Sequence, residues 1–130
     1  MKTTAELSIF IIEDDAHFRE TFIDVMSLRG VQAHGAASAA EGLAALRQAK
    51  PAVVILDVQL PDMHGFDLCR RIKRLEGFQK VPVVFISASS RYNDPRDRVE
   101  GLLAGGALFL PKPITIEKLW AEIGSLLKGR

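Results

Sequence analysis

Short unbroken apolar runs alternate along this chain with longer stretches whose apolar residues recur every three or four positions. Leu7-Ser8-Ile9-Phe10-Ile11-Ile12 is almost wholly apolar and stops abruptly at Glu13-Asp14-Asp15. Such a run is too short for a helix and rich in β-branched residues, so it predicts a strand buried on both faces. From Ala16 to Arg29 the apolar residues Phe18, Phe22, Val25 and Met26 fall on one helical face, and Gly30 stands where a C-terminal cap is expected.

The same cycle repeats four more times. Val31-Gln32-Ala33-His34 predicts a short strand, and Ser38-Ala39-Ala40-Glu41 a capping box opening a helix through Leu43 and Leu46. Pro51 precedes a third strand, Ala52-Val53-Val54-Ile55-Leu56-Asp57. A helix over 65–74 follows, with Phe66, Leu68, Cys69 and Ile72 inward. Val81-Pro82-Val83-Val84-Phe85-Ile86-Ser87 is the fourth strand. Asp94-Pro95 starts a helix that runs to Ala104 and ends at Gly105-Gly106. Ala107-Leu108-Phe109-Leu110 is the fifth strand. The last helix spans 116–128, with Leu119, Trp120, Ile123, Leu126 and Leu127 on its inner face.

Five strands alternating with five helices require right-handed crossovers, hence a parallel sheet covered on both faces. The expected fold is α/β, a flavodoxin-like doubly wound five-stranded sheet with five helices, forming one domain over 1–130. Neither linker, repeat nor low-complexity tract interrupts the pattern.

Composition narrows the function classes. The 130 residues carry 17 Lys plus Arg against 16 Asp plus Glu, a net charge of +1 that speaks against binding driven by nucleic-acid phosphates. No apolar run reaches membrane-spanning length, and Met1 to Glu6 lacks the apolar core of a signal peptide. A lone cysteine, Cys69, cannot close an internal disulfide and fits a reducing compartment. The expectation is a cytoplasmic domain that binds neither nucleic acid nor membrane directly.

In open α/β sheets the working site lies beyond the carboxyl ends of the strands. The residues there are Glu13-Asp14-Asp15, Asp57, Ser87 and Lys112-Pro113. Gathered carboxylates repel one another and call for a cation, and oxygen-only ligands suit Mg²⁺. A lysine and a hydroxyl beside them make a cradle for a phosphoryl group, with Asp57 the natural acceptor.

These residues resemble the receiver domains of two-component response regulators, of the chemotaxis-regulator type. The matching stretches are Ile11 to Asp15, Ile55 to Phe66, Ser87-Ala88 and Leu110 to Pro113, four motifs in order on the expected strand ends. The resemblance implies that Asp57 is the phosphoacceptor, with metal ligands Glu13, Asp14, Asp57 and the backbone carbonyl of Gln59. It implies that Ser87 and Lys112 bond the new phosphoryl group, that Lys112-Pro113 is a cis peptide, and that Phe109 is the aromatic switch. The helix after Asp94, the fifth strand and the last helix would then form the face that changes. The implied donor is a sensor histidine kinase or histidine phosphotransfer protein, and the output is an unspecified effector. The chain would be a stand-alone regulator or part of a larger regulator or hybrid kinase.

Plainer roles stand beside these. Asp15 is expected to cap the helix beginning at Ala16. His17 and His64 are expected at the surface, since magnesium prefers oxygen. Phe109, as an aromatic in a central strand, would be core. Cys69 and Trp120 are expected in helix interfaces, and Arg70-Arg71-Ile72-Lys73-Arg74 as a solvated helix end favoured by the helix dipole. Two departures from the family are visible: a longer segment around Ser89 to Asn93, and Ala107-Leu108 where DNA-binding members usually carry acids. The rivals are a phosphatase with an aspartate nucleophile, a flavodoxin-like FMN carrier and a degenerate, binding-only receiver. The first needs an acid where Gln59 stands. The second needs a Ser-, Thr- or Gly-rich phosphate loop after the first strand, and three carboxylates occupy that place. The complete set Asp14, Asp57, Ser87 and Lys112 argues against the third.

Overall fold

A computed structural model of the protein describes residues 7–88 and 95–128. Its elements follow the expected alternation: β1 (Ser8–Ile12), α1 (Ala16–Leu28), β2 (Gln32–Ala36), α2 (Ala39–Ala49), β3 (Val53–Asp57), α3 (Gly65–Lys73), β4 (Val83–Ser87), α4 (Pro95–Leu103), β5 (Leu108–Pro111) and α5 (Ile116–Lys128). The strands pair in parallel in the order β2-β1-β3-β4-β5. The expected cap at Asp94 and the longer Ser89–Asn93 segment lie outside the described residues.

Because the side chains of a strand alternate between faces, the apolar runs feed two cores at once. Ile9, Ile11, Val53, Ile55, Val84 and Ile86 meet Phe22 and Met26 of α1 and Leu119 and Ile123 of α5. Phe10, Ile12, Val54, Leu56 and Phe85 meet Leu46 of α2, Phe66, Leu68, Cys69 and Ile72 of α3, and Ala104. β1, β3 and β4 are buried along their whole length. Cys69 is fully buried and Trp120 packs half-buried against the α1/α5 core, as expected of interface residues.

β2 and β5 are the edges, which corrects one expectation. Phe109 lies in an edge strand and is half-buried, not in a central strand. The apolar run Ala107 to Leu110 could not distinguish the two, since one face of an edge strand still packs on a helix. β2 also extends two residues past His34, because its pairing with β1 continues to Ile12↔Ala36.

Local signals place the helix ends. Asp15 caps α1 by accepting from the Phe18 N–H at 3.1 Å. At the other end Gly30 takes φ +77°, which lets its own N–H reach the Ser27 carbonyl at 3.0 Å and the Val31 N–H reach that of Met26 at 2.9 Å. Ser38 caps α2 through the Glu41 N–H, but the Glu41 carboxylate accepts from the Ala37 N–H, one residue earlier than the capping box predicts. Lys73 departs from the expected solvated helix end. Its ammonium donates to the Val81 carbonyl at 2.5 Å and the Gln79 carbonyl at 3.4 Å, bracing the connection into β4.

Candidate functional site

Parallel pairing in register brings the four strand ends to one edge. Ile12 is opposite Leu56, Asp57 opposite Ile86, and Ser87 opposite Pro111, so the residues at or just after these positions converge. Glu13, Asp14 and Asp57 each offer a carboxylate oxygen within 4.8 Å of the others. Glu13 is fully buried, Asp57 and Ser87 nearly so, and Asp14 is exposed. Lys112 reaches in from the cis Lys112-Pro113 turn, bonds Glu13 Oε1, and lies 3.7 Å from Asp57 Oδ2. The Lys112 N–H donates to the Ser87 carbonyl at 2.8 Å, which fixes the lysine backbone to the end of β4.

Among the described residues the charges at this cluster do not balance. Three carboxylates face one ammonium, two of them out of water. Burial pushes the Glu13 carboxyl above its ordinary range, its contact with Asp57 adds to that, and Lys112 pulls the other way without prevailing. Burial alone would lower the Lys112 ammonium, but its hydrogen bond and charge pairing with Glu13, with Asp57 and Asp15 beyond, hold it above the usual lysine value. So the lysine is firmly charged while Glu13 beside it resists full ionisation. Hard oxygen donors with surplus negative charge, two buried and one open to solvent, suit a divalent cation such as Mg²⁺ that keeps part of its water shell.

Two further contacts to this group are not foreshadowed by the sequence pattern. The Phe18 ring of α1 lies 5.3 Å from the Lys112 ammonium, near enough for a cation–π contact. Arg19 donates to the Glu13 carbonyl at 2.7 Å. An aromatic and a basic residue one helical turn after an acidic cluster was the available signal, and helix periodicity absorbed Phe18 into the core face.

Between β3 and α3 the chain is tightly held. The Gln59 N–H donates to Asp57 Oδ1 at 3.0 Å, Gln59 bridges His64, and the Gly65 N–H meets the Val58 carbonyl. A Cβ at Gly65 would sit 2.6 Å from the Asp57 carbonyl and 2.7 Å from Val58 Cα, so the close approach of two backbone segments requires glycine there. His64 is exposed as expected, and its Nδ1 also caps α3 by accepting from the Phe66 N–H at 3.1 Å. His17 is exposed on α1. At the tip, Asp62 accepts from the Ala39 and Ala40 N–H groups of α2 at 2.9 and 3.0 Å. Those two bonds hold its carboxyl below the usual aspartate value.

Phe109 belongs to an aromatic cluster beside the site. Its ring lies 6.3 Å from Phe66 and 6.0 Å from Phe85, and the Arg98 guanidinium of α4 stands 5.7 Å above it. A pocket of about 440 Å³, lined in part by Arg47, Lys50, Phe78 and Val81, opens at the opposite end of the sheet and holds none of the expected residues. Among the described residues no helix is long and apolar enough to cross a membrane.

Comparison with known proteins agrees with this geometry. Residues 9–124 match the response regulator receiver domain family. The chain is 36% identical over 121 residues to the transcriptional regulatory protein GltR of Pseudomonas aeruginosa, covering 93% of this chain and 49% of that protein. It therefore spans about half the length of the curated relatives it matches. A CheY-like receiver domain protein from Methanospirillum hungatei superposes with a TM-score of 0.85 at 24% identity, over 95% of this chain and 94% of the other. The signal receiver domain of a histidine kinase from Syntrophus aciditrophicus gives 0.79 at 30% identity, over 94% and 90%.

Crowding of Glu13 against Asp57 has a measurable consequence. An acid whose folded pKa is raised contributes stability below its unfolded value and loses it as pH rises through the folded one. Asp57→Asn keeps an oxygen for the Gln59 N–H and removes the neighbouring charge. It is expected to raise the unfolding free energy by roughly 1 kcal/mol at pH 7, with the gain vanishing toward pH 4. Urea unfolding at the two pH values checks this, and a variant less stable than wild type at pH 7 would contradict it.

Proposed function

The chain belongs to the response regulator receiver domain family, and from that membership we propose that Asp57 accepts a phosphoryl group in a magnesium-dependent transfer. Receiver domains of response regulators take phosphoryl groups from histidine kinases and are phosphoacceptors rather than enzymes. The proposed donor is a phosphohistidine on a sensor kinase or phosphotransfer protein in the cytoplasm. An Asp57 carboxylate oxygen forms the new bond to phosphorus, the phosphorus–nitrogen bond breaks, and the imidazole leaves with its electron pair. The observation that carries this reading is the cluster of Glu13, Asp14 and Asp57 oxygens with Lys112 inserted beside two of them.

Each residue has a distinct task in this account. Glu13, Asp14, Asp57 and the Gln59 carbonyl hold Mg²⁺, which when bound supplies positive charge against the phosphoryl oxygens. Lys112 exchanges its bond to Glu13 for one to a phosphoryl oxygen, and the Ser87 hydroxyl donates to another. Gln59, exposed two positions after the acceptor, is neutral and cannot act as the acid of a phosphatase. Hydrolysis of the adduct is therefore slow.

The output face is α4, β5 and α5. Ser87 drawn toward the phosphoryl group leaves room for Phe109 to turn further inward from its half-buried position. Three large apolar residues of α4 already lie exposed there: Val99, Leu102 and Leu103 at 52%, 53% and 81%. An exposed apolar strip on one helix fits a surface read by an effector protein.

With Mg²⁺ and acetyl phosphate, wild type should gain one phosphoryl group by intact mass, Asp57→Asn none, and Asp14→Ala little at any Mg²⁺ concentration. An adduct on Asp57→Asn equal to wild type would move the chemistry elsewhere. Ser87→Ala tests the relay. Beryllofluoride should shift wild-type amide resonances across 99–109 and 115–120, and those shifts should largely vanish in Ser87→Ala. A full set of shifts in the variant would remove the hydroxyl from the relay.

A further inference from the structure

We infer that Asp62 is a positioning residue for the acceptor loop, tying the segment that carries Asp57 and Gln59 to the amino-terminus of α2. The inference rests on the reading of Gln59 as a carbonyl ligand. It starts from the first turn of α2, whose leading N–H groups have no partner within the helix. The Ser38 hydroxyl takes the Glu41 N–H, and its carbonyl takes that of Gly42. The Ala39 and Ala40 N–H groups go instead to the two carboxylate oxygens of Asp62, more than twenty residues further along the chain.

The geometry makes this a lateral brace. The loop between Asp57 and Gly65 is fixed at its base by the Val58–Gly65 bond, and its two limbs are joined by the Gln59–His64 bridge. Those contacts hold the loop to itself and to β3. Asp62 ties its tip to a different element. That element is well anchored: Ala39 and Leu46 are fully buried, and Gly42 lies so close to Ile12 that an added Cβ would sit 2.5 Å from its Cδ1. Ile12 immediately precedes Glu13, so α2 packs against the strand that leads into Glu13 and is bonded to the loop that carries Gln59. A carboxylate facing two amides at a helix start is a charge-assisted pair, favoured by the helix dipole and suited to holding a fixed distance. Without it, the contacts left to the exposed Gln59 stretch among the described residues lie at its base: the His64 bridge, the Gln59 N–H bond to Asp57 and the Val58 N–H bond to the Ile86 carbonyl. Residues that orient a ligand from outside the coordination shell can matter as much to affinity as weak ligands do.

The test separates positioning from simple helix stabilisation. Asp62→Ala and Asp62→Asn remove both or one of the acceptor oxygens. Ser38→Ala removes the cap that α2 supplies for itself and leaves the brace intact. Mg²⁺ affinity is measured by titration calorimetry, and amide hydrogen exchange is followed in the metal-free proteins. Asp62→Ala should weaken Mg²⁺ binding roughly tenfold and speed exchange at Ala39, Ala40, Leu60 and Met63. Asp62→Asn should fall between it and wild type, while Ser38→Ala should bind Mg²⁺ as wild type does. Wild-type Mg²⁺ affinity in both Asp62 variants would overturn the inference, and so would an equal loss in Ser38→Ala. Wild type failing to bind Mg²⁺ at all would instead overturn the reading of the metal site, and this inference with it.

Discussion

Glu13 and Asp57 are buried side by side at the ends of two adjacent strands, and one lysine stands between them and open repulsion. In water the two charges would drift apart. Here the β1–β3 register forbids it, because Ile12 is locked opposite Leu56 and the residues that follow have nowhere else to go. Lys112 relieves part of the repulsion, yet it is held by a bond to Glu13 that a new anion can compete for. The surplus negative charge calls for a cation, and the captive lysine calls for an anion. The proposed magnesium-dependent phosphoryl transfer would meet both demands.

The remaining architecture keeps that arrangement from relaxing. Two cores, one on each face of the sheet, fix the strands, and the parallel order makes all of their carboxyl ends share an edge. Contacts from the flanking helices then narrow the freedom of the site itself. Arg19 holds the Glu13 backbone, Phe18 lies against the lysine, and Asp62 ties the acceptor loop to α2. The side of the sheet bearing β5 is different in character. Phe109 is half-buried at an edge, ringed by Phe66, Phe85 and Arg98, and next to a helix with an exposed apolar strip. The fully buried β1 and β3 and the half-buried β5 fit the proposed division between a site that binds and a face that changes.

What could be read from the chain depended on how local its cause was. Buried strands announce themselves as apolar runs, and Gly30 and Asp15 mark the ends of α1 through contacts three to five residues away, so both were legible. The four chemistry-bearing positions followed from the rule that parallel strands share a carboxyl edge. Sheet order is harder: nothing in Ala107 to Leu110 says which strand lies outside, so the expectation of a central strand for Phe109 fails. The Asp62 brace and the Lys112–Glu13 bond join residues far apart in sequence, which no periodicity records. The solvated helix end expected at Lys73 fails for a related reason. Its helix end looks solvated until the 78–81 connection folds back over it to offer carbonyl groups.

In the proposed transfer, Lys112 stays on Glu13 until a phosphoryl group on Asp57 takes it. A crystal structure with Mg²⁺ and beryllofluoride tests this most directly. Beryllium should sit on an Asp57 carboxylate oxygen, with the Lys112 ammonium moved from Glu13 onto a fluorine. Beryllofluoride bound elsewhere, or seated on Asp57 with Lys112 still paired to Glu13, would contradict it.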